Sequence, residues 1–165
     1  MKKKSFAIIG DPIAHSLSPV LHNYWFKKYN ISAEYNLLSI KENELESTIN
    51  DVRKKKLDGI NITLPYKQKV ISFIDQLIND AKSTNSVNTI YLNDNNIIVG
   101  ENTDVFGIQA AYLKEISNVK NKKALIIGAG GVSPSMIFAL QKSKLQNISI
   151  INRTNEKSIF LKKKI

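Results

Sequence analysis

Apolar positions in this chain follow two periods, and the alternation between them predicts its elements. Phe6 to Ile9 is a short apolar run that stops at Gly10-Asp11-Pro12, which reads as a strand ending in a turn. Ser18-Pro19 predicts a helix start, with Ser18 as the N-cap and Pro19 in the first helical position. Leu21, Trp25 and Tyr29 continue that helix at i, i+4 and i+8, and Asn30 stops it. Tyr35 to Ile40 reads as a strand, and Glu42 to Lys55 as a helix with Leu45, Ile49 and Val52 on one side. In GINITLPYK, residues 59–67, Ile60, Ile62 and Leu64 alternate with Asn61 and Thr63, the pattern of a strand with one apolar and one wet face. A helix is expected from about Lys67, carrying Val70, Ile74, Leu77 and Ile78.

Val87 to Leu92 and Ile97 to Val99 flank Asn93-Asp94-Asn95-Asn96, a predicted hairpin. Thr103-Asp104 opens a helix running to about Ile116. Lys123 to Ile127 has no polar alternation and reads as a buried strand; a glycine turn, a helix to about Lys142 and a strand from Ile148 to Ile151 follow. Glu156 to Ile165 reads as helical. Strands alternating with helices predict an α/β fold with mostly parallel sheets. A division is expected near residue 103, into a first domain of residues 1–103 and a second of 104–165 that holds about half of a doubly wound nucleotide-binding sheet.

Composition narrows the chemistry. No cysteine is present among the 165 residues, which removes disulfides, thiolate nucleophiles and Cys-based zinc sites and fits a reducing compartment. The apolar run after Lys2-Lys3-Lys4 ends too early for a secretory signal, and no stretch approaches a membrane span, so a cytoplasmic protein without a membrane partner is expected. The net charge of +10 is spread over short separated lysine runs without interleaved aromatics. Such runs read as solvated helix ends and turns rather than a nucleic-acid surface, and their field suits an anionic small substrate or a phosphorylated cofactor.

LIIGAGGVSPS, residues 125–135, places a glycine turn between a strand and a helix, the context in which G-x-G-x-x-G carries meaning. Gly128 permits the tight turn, Gly130 lets the backbone approach a pyrophosphate, and Ser133 stands where a third small residue allows close packing. The helix N-terminus then offers free N–H groups to phosphates. At the end of the next strand Asn152-Arg153-Thr154 occupies the place where NAD binders carry an acid for the ribose hydroxyl. An arginine there suits the 2′-phosphate of NADP instead.

Four polar clusters lie at ends of predicted elements in the first part: Ser16-Leu17-Ser18, Asn61-Ile62-Thr63 with Lys67, Ser86-Val87-Asn88-Thr89, and Asn102-Thr103-Asp104. Each alone is explained by caps and turns; together, beside a nucleotide loop, they outline a pocket. GDPIAHSLSP, GINITLPYK, SVNTI, GENTDVFG, IIGAGG and INRT, in that order and spacing, resemble the shikimate dehydrogenases over essentially the whole chain.

The resemblance implies a substrate-binding first domain, a Rossmann second domain for NADP, and NADPH-dependent reduction of 3-dehydroshikimate to shikimate on the route to chorismate and the aromatic amino acids. It implies that Ser16 and Ser18 bind the substrate carboxylate, and that Asn61, Thr63, Lys67, Asn88 and Asp104 hold the ring hydroxyls. Lys67 and Asp104 would be the catalytic pair, with Lys67 as acid/base and Asp104 as its orienting partner. Gly128, Ala129, Gly130, Gly131 and Val132, with Asn152, Arg153 and Thr154, would bind NADP. No metal is implied, and a monomer or homodimer is expected. His22 reads as a packing residue and His15 as shaping the serine loop.

Two departures accompany the resemblance. Asn85-Ser86 replaces the small Gly-Ala usual before Val-Asn-Thr. Members of the family also run further, through a part that completes the nicotinamide pocket. A quinate/shikimate paralogue and a non-catalytic fragment that binds substrate are therefore the alternative expectations; Thr154-Asn155 after Arg153, where NAD-accepting relatives carry an acid, disfavours the former.

Overall fold

The computed structural model describes residues 2–116, 119, 122–145 and 147–164. The chain divides into two compact units, Met1–Ile78 with Val87–Glu101, and Asn79–Ser86 with Asn102–Ile165. Among the described residues, no helix is long and apolar enough to cross a membrane.

The first unit is built on strands β1 (Lys4–Gly10), β2 (Ala33–Ser39), β3 (Gly59–Ile62), β4 (Gln76–Leu77), β5 (Thr89–Leu92) and β6 (Ile98–Glu101), in the spatial order β2-β1-β3-β5-β6-β4. β1 pairs in parallel with β2 and β3, and β4 in parallel with β6, while β5 runs antiparallel to both neighbours as one arm of a hairpin. Asn93 closes the hairpin by accepting the N–H groups of Asn95 and Ile97 on its Oδ1. Ala7, Ile9, Ile60, Ile62 and Ile90 are buried on one face of the sheet. Helix α2 (Leu45–Arg53) packs against β5 and buries Leu45, Ile49 and Val52. On the opposite face Ile8, Ile13 and Tyr35 cluster with Phe6, Phe26 and Leu37 under helix α1 (Ser18–Lys28).

α1 does not pack as its apolar stripe predicts. Leu21, Trp25 and Tyr29 are exposed, and the helix buries no residue completely. It is fastened instead through Phe26, His22 and Asn23. The Asn23 amide donates to the carbonyl of Tyr35 at 2.8 Å and accepts its N–H at 3.0 Å, occupying the open side of β2 as a neighbouring strand would. Outside, Trp25 and Tyr29 stack at 5.7 Å, with the Lys28 ammonium 5.0 Å from the Trp25 ring. Ser18 is not the N-cap either: Leu17 holds that position, and the Ser18 N–H donates to Ser16 Oγ at 3.3 Å.

The helix expected from Lys67 is replaced by a short 3-10 segment, Lys69–Phe73, followed by β4. Tertiary partners override the helical spacing. Asp75 N–H donates to Ile98 O, and the Asp75 carboxylate accepts the Ile98 N–H at 2.8 Å and a bidentate contact from Arg53. Ile74 then lies over Gly100, where any added Cβ would meet Ile74 Cδ1 at 2.7 Å.

The second unit contains α3 (Asp80–Thr84), α4 (Asp104–Ala111), β7 (Lys123–Ile127), α5 (Ser133–Lys142), β8 (Asn147–Ile151) and α6 (Asn155–Lys164). β7 and β8 pair in parallel from Lys123 opposite Asn147 to Ile127 opposite Ile151. Val105, Ile108, Leu113, Ala139, Leu140 and Leu145 form its core. α4 ends at Ala111, short of the expected Ile116, and a 3-10 turn Leu113–Glu115 follows. The expected boundary at residue 103 follows chain order, whereas residues 79–86 cluster with the second unit. They are held there by hydrogen bonds from Asn102 and by the ion pair of Asp80 with Lys142 at 3.1 Å.

Candidate active site

β1 and β3 run side by side in parallel, so the loops that leave their carboxyl ends emerge together. Thr63 N–H donates to Ile9 O at 3.0 Å, and Asp11 N–H to Leu64 O at 3.1 Å, which ties the serine loop to TLPYK. Both loops carry a cis proline, after Asp11 and after Leu64. Gly10 is required by the closeness of this approach, since a Cβ there would lie 2.6 Å from Thr63 Cγ2. The loops are held from outside by Lys41 pairing with Asp11 at 2.9 Å, and from beneath by the buried Tyr66 hydroxyl donating to Ile40 O at 2.8 Å.

Ser16 and Ser18 are half-buried at the start of α1, and Thr63 and Lys67 are half-buried on the second loop. The Lys67 carbonyl accepts the Val87 N–H at 2.8 Å, which joins this loop to the stretch bearing the buried Asn88. Asn88 is anchored further by its N–H to Glu101 O and by Ile62 N–H to its carbonyl. Ser16, Ser18, Thr63, Lys67 and Asn88 are thus brought to one edge of the first unit. Asn61 differs from them. It is half-buried, and both its N–H donors are spent within the protein, on Asn88 O and Thr89 Oγ1 at 3.1 Å each, while its Oδ1 accepts the Tyr35 hydroxyl at 2.7 Å.

Asp104 opens α4 in the second unit, half-buried. The capping work falls to Asn102, whose Oδ1 accepts the N–H groups of Asp104 at 3.0 Å and Val105 at 3.3 Å. Its Nδ2 reaches Thr84 Oγ1, Ser86 O and Ser135 Oγ, all within 3.0 Å. The Asp104 carboxylate is therefore not needed as a helix cap. His15 is exposed, and His22 stacks on Tyr35 with centroids 4.2 Å apart, where burial lowers its pKa below the ordinary value.

The glycine loop of the second unit also takes shape around one asparagine. Gly128 has φ +113°, and its N–H donates to Ile151 O at 2.7 Å. Asn152 Oδ1 accepts the Ala129 N–H at 3.1 Å, and its Nδ2 donates to Thr154 O at 2.7 Å, bridging the loops after β7 and β8. Ser133 is buried and donates to Gly128 O at 3.1 Å, so the serine in the third small position closes the turn. A Cβ on Gly128 or Gly130 would meet nothing within 4 Å. That open space in front of the α5 N-terminus, with exposed Arg153 and Thr154 at the end of β8 and no acid there, fits a phosphorylated dinucleotide.

Residues that the sequence patterns did not single out are Tyr35, Gly10 and the capping role of Asn102. Gly10 was visible only as a strand stop, and Tyr35 only as the first residue of a strand; the cross-strand register gives them their partners.

Comparison with known proteins identifies the family. The family model for the shikimate dehydrogenase substrate binding domain matches residues 8–90, and that for shikimate / quinate 5-dehydrogenase matches residues 111–165. The chain is 52% identical over 161 residues to the NADP(+) shikimate dehydrogenase of Pelagibacter ubique, covering 98% of this chain and 60% of that protein. It is 41% identical over 160 residues to that of Pyrococcus furiosus, covering 97% and 57%. A crystal structure of shikimate dehydrogenase in complex with NADP+ superposes with a TM-score of 0.89 at 35% identity, covering 98% of this chain and 55% of the other. The Thermus thermophilus enzyme in complex with NADP(H) and shikimate gives a TM-score of 0.85 at 29% identity, covering 98% and 60%. The chain thus spans less than two thirds of the length of these relatives. With both family models matched in order, over the first three polar clusters and the glycine turn, the chain belongs to the shikimate dehydrogenase family.

Proposed function

We propose that this chain carries the substrate site and part of the cofactor site of an NADP-dependent shikimate dehydrogenase, reducing 3-dehydroshikimate to shikimate reversibly. The observation that carries the reading is the meeting of Ser16, Ser18, Thr63, Lys67 and Asn88 at the edge where β1 and β3 end. Two hydroxyls at the start of a helix suit a carboxylate, with the N-terminal N–H groups adding favourable field. Thr63, Asn88 and Asp104 supply the donors and acceptors for ring hydroxyls, and Asn61, its donors already spent, serves to hold Asn88. NADPH, when bound, supplies the hydride to the ring ketone. The ketone oxygen gains negative charge and requires a proton, which the Lys67 ammonium donates; in the reverse direction neutral Lys67 accepts it. In the family pattern Asp104 is the partner of Lys67, and its carboxylate would orient the ammonium and offset its charge. Gly128 to Val132 and the α5 N-terminus would hold the pyrophosphate, Asn152 shapes that loop, and Arg153 with Thr154 would take the 2′-phosphate.

Shikimate-dependent formation of NADPH, followed by its absorbance and lost in Lys67→Ala, tests this reading; turnover undiminished by that substitution contradicts it. Preference for NADP over NAD in kcat/KM separates it from a quinate/shikimate paralogue. A second reading is a chain that binds shikimate without turnover. Calorimetric binding of shikimate in a folded sample that forms no NADPH would select it. A cytoplasmic location and a monomeric or homodimeric state complete the proposal.

A further inference from the structure

Asn102 is shared by three helices of the second unit. It is 3% exposed, and backbone groups alone fix how its amide points. The N–H groups of Asp104 and Val105 only donate, so the end facing them is Oδ1. The carbonyl of Ser86 only accepts, so the end 2.9 Å from it is Nδ2. Thr84 Oγ1 sends its own proton to Asp80 O at 2.7 Å and therefore accepts from Nδ2 at 3.0 Å. Ser135 Oγ stands 2.9 Å from the same nitrogen, fully buried in the first turn of α5. That turn has two attachments: Ser133 closes the glycine loop on Gly128 O at 3.1 Å, and Ser135 holds Asn102. Hydrogen bonds of Ser133, Ser135 and Asn102 thus lead from the glycine loop to the backbone of Asp104, all inside the second unit.

We propose that Asn102, held by Ser135, is a positioning residue that ties Asp104 to the cofactor loop: a dinucleotide bound at the glycine loop and the α5 N-terminus is felt at the first residue of α4, so that Asp104 takes its place relative to the cofactor. This rests on the reading of the glycine loop as the NADP site and of Asp104 as the partner of Lys67 given above. The apolar cluster of Val105, Ile108, Ala139 and Leu140 packs α4 on α5 without direction. The bond from Asn102 to Ser135 adds direction, because it joins the N-terminal turns of the two helices. It can also be cut cleanly. The two protons on Nδ2 face three acceptors, so in Ser135→Ala the contacts to Thr84 and Ser86 take both, and no donor is stranded. The cap on α4 stays in place, and only its tie to α5 is lost.

The test compares wild type, Ser135→Ala and a control on the same helix, Ser143→Ala, by NMR of the backbone amides with and without NADP+. Ser143 donates to Ala139 O at 3.0 Å, within the far end of α5. Without ligand, Ser135→Ala is expected to shift the amides of Asp104 and Val105, and Ser143→Ala to leave them in place. On titrating the wild type with NADP+, the amides of Gly128, Gly130 and Asp104 should move together. In Ser135→Ala the glycine amides should still move, while the response of Asp104 falls at least twofold. An Asp104 amide that ignores NADP+ in the wild type, or responds as fully in Ser135→Ala, overturns the proposal, as do Asp104 and Val105 amides unmoved in the ligand-free variant. If NADP+ moves no glycine-loop amide of the wild type, the reading of that loop as the cofactor site fails; the ligand-free comparison then decides by itself whether Ser135 and Asn102 position Asp104.

Discussion

A Cβ placed on Gly10 would lie 2.6 Å from Cγ2 of Thr63 and 2.8 Å from the carbonyl oxygen of Leu64. The two loops that carry Ser16 and Lys67 are in contact because one of them has no side chain at this point. Gly10→Ala is expected to force them apart, with a loss of about 1–3 kcal/mol in stability from overpacking. Shikimate binding should weaken in the variant. Urea denaturation with calorimetry checks both; a variant as stable as wild type with unchanged affinity would show that the contact is slack.

Ser86 is buried, and its hydroxyl is without a hydrogen-bond partner among the described residues. Ser86→Ala should raise stability by about 1 kcal/mol, since a buried polar atom without compensation is removed. Asn102→Ala should act in the opposite direction by about 3 kcal/mol, because it strands Thr84, Ser135 and the first N–H groups of α4 together. Denaturation midpoints of the two variants, measured side by side, decide the matter.

Gly128 and Gly130 make separate demands. A side chain at Gly128 is strained by φ +113°, whereas Gly130 has no such backbone and open space around it. Gly128→Ala should lower the Tm, while Gly130→Ala should leave stability within about 0.5 kcal/mol. Both should weaken NADP binding by calorimetry. Undiminished NADP affinity in Gly130→Ala would remove that glycine from the cofactor site.

The Arg53 guanidinium and the Ile98 N–H hold the Asp75 carboxyl below its ordinary pKa of 3.8. A carboxylate with a depressed native pKa stabilises the fold above its unfolded value, and that stabilisation is lost as pH falls through the native one. The side chains are each 40% exposed, so the contribution is under about 1 kcal/mol. The stability difference between wild type and Asp75→Asn should be largest near neutral pH and shrink below about pH 4. A difference constant across that range would contradict the assignment.

Much of this was legible in the sequence. The strands at Phe6, Tyr35, Ile60 and Lys123 follow from apolar runs bounded by turn residues, and each lies within one or two residues of its predicted place, but the strand at Lys123 is not buried as expected, since Leu125 and Ile127 are exposed. The failures share a cause: local spacing cannot see a partner across the sheet. Val70, Ile74, Leu77 and Ile78 fit a helix, but Asp75 is claimed by Arg53 and Ile98, and Gly100 makes room for Ile74. Leu21, Trp25 and Tyr29 fit a buried stripe, but the Asn23 clasp on Tyr35 rotates a different side inward. In the site, Ser16, Thr63 and Lys67 were visible as polar residues at element ends. Asn61 read as facing water because its alternation with Ile60 and Ile62 does not reveal its partners Tyr35, Asn88 and Thr89.

The central claim is that Lys67 moves the proton in an NADP-dependent interconversion of shikimate and 3-dehydroshikimate. The most direct measurement is the rate of shikimate-dependent NADPH formation by the wild-type chain and by Lys67→Ala, with circular dichroism to show that both are folded. The account predicts measurable turnover in the wild type and a fall of about 10²- to 10⁴-fold in kcat for the variant. No NADPH formation by a folded wild-type chain, or an equal rate in Lys67→Ala, would contradict it.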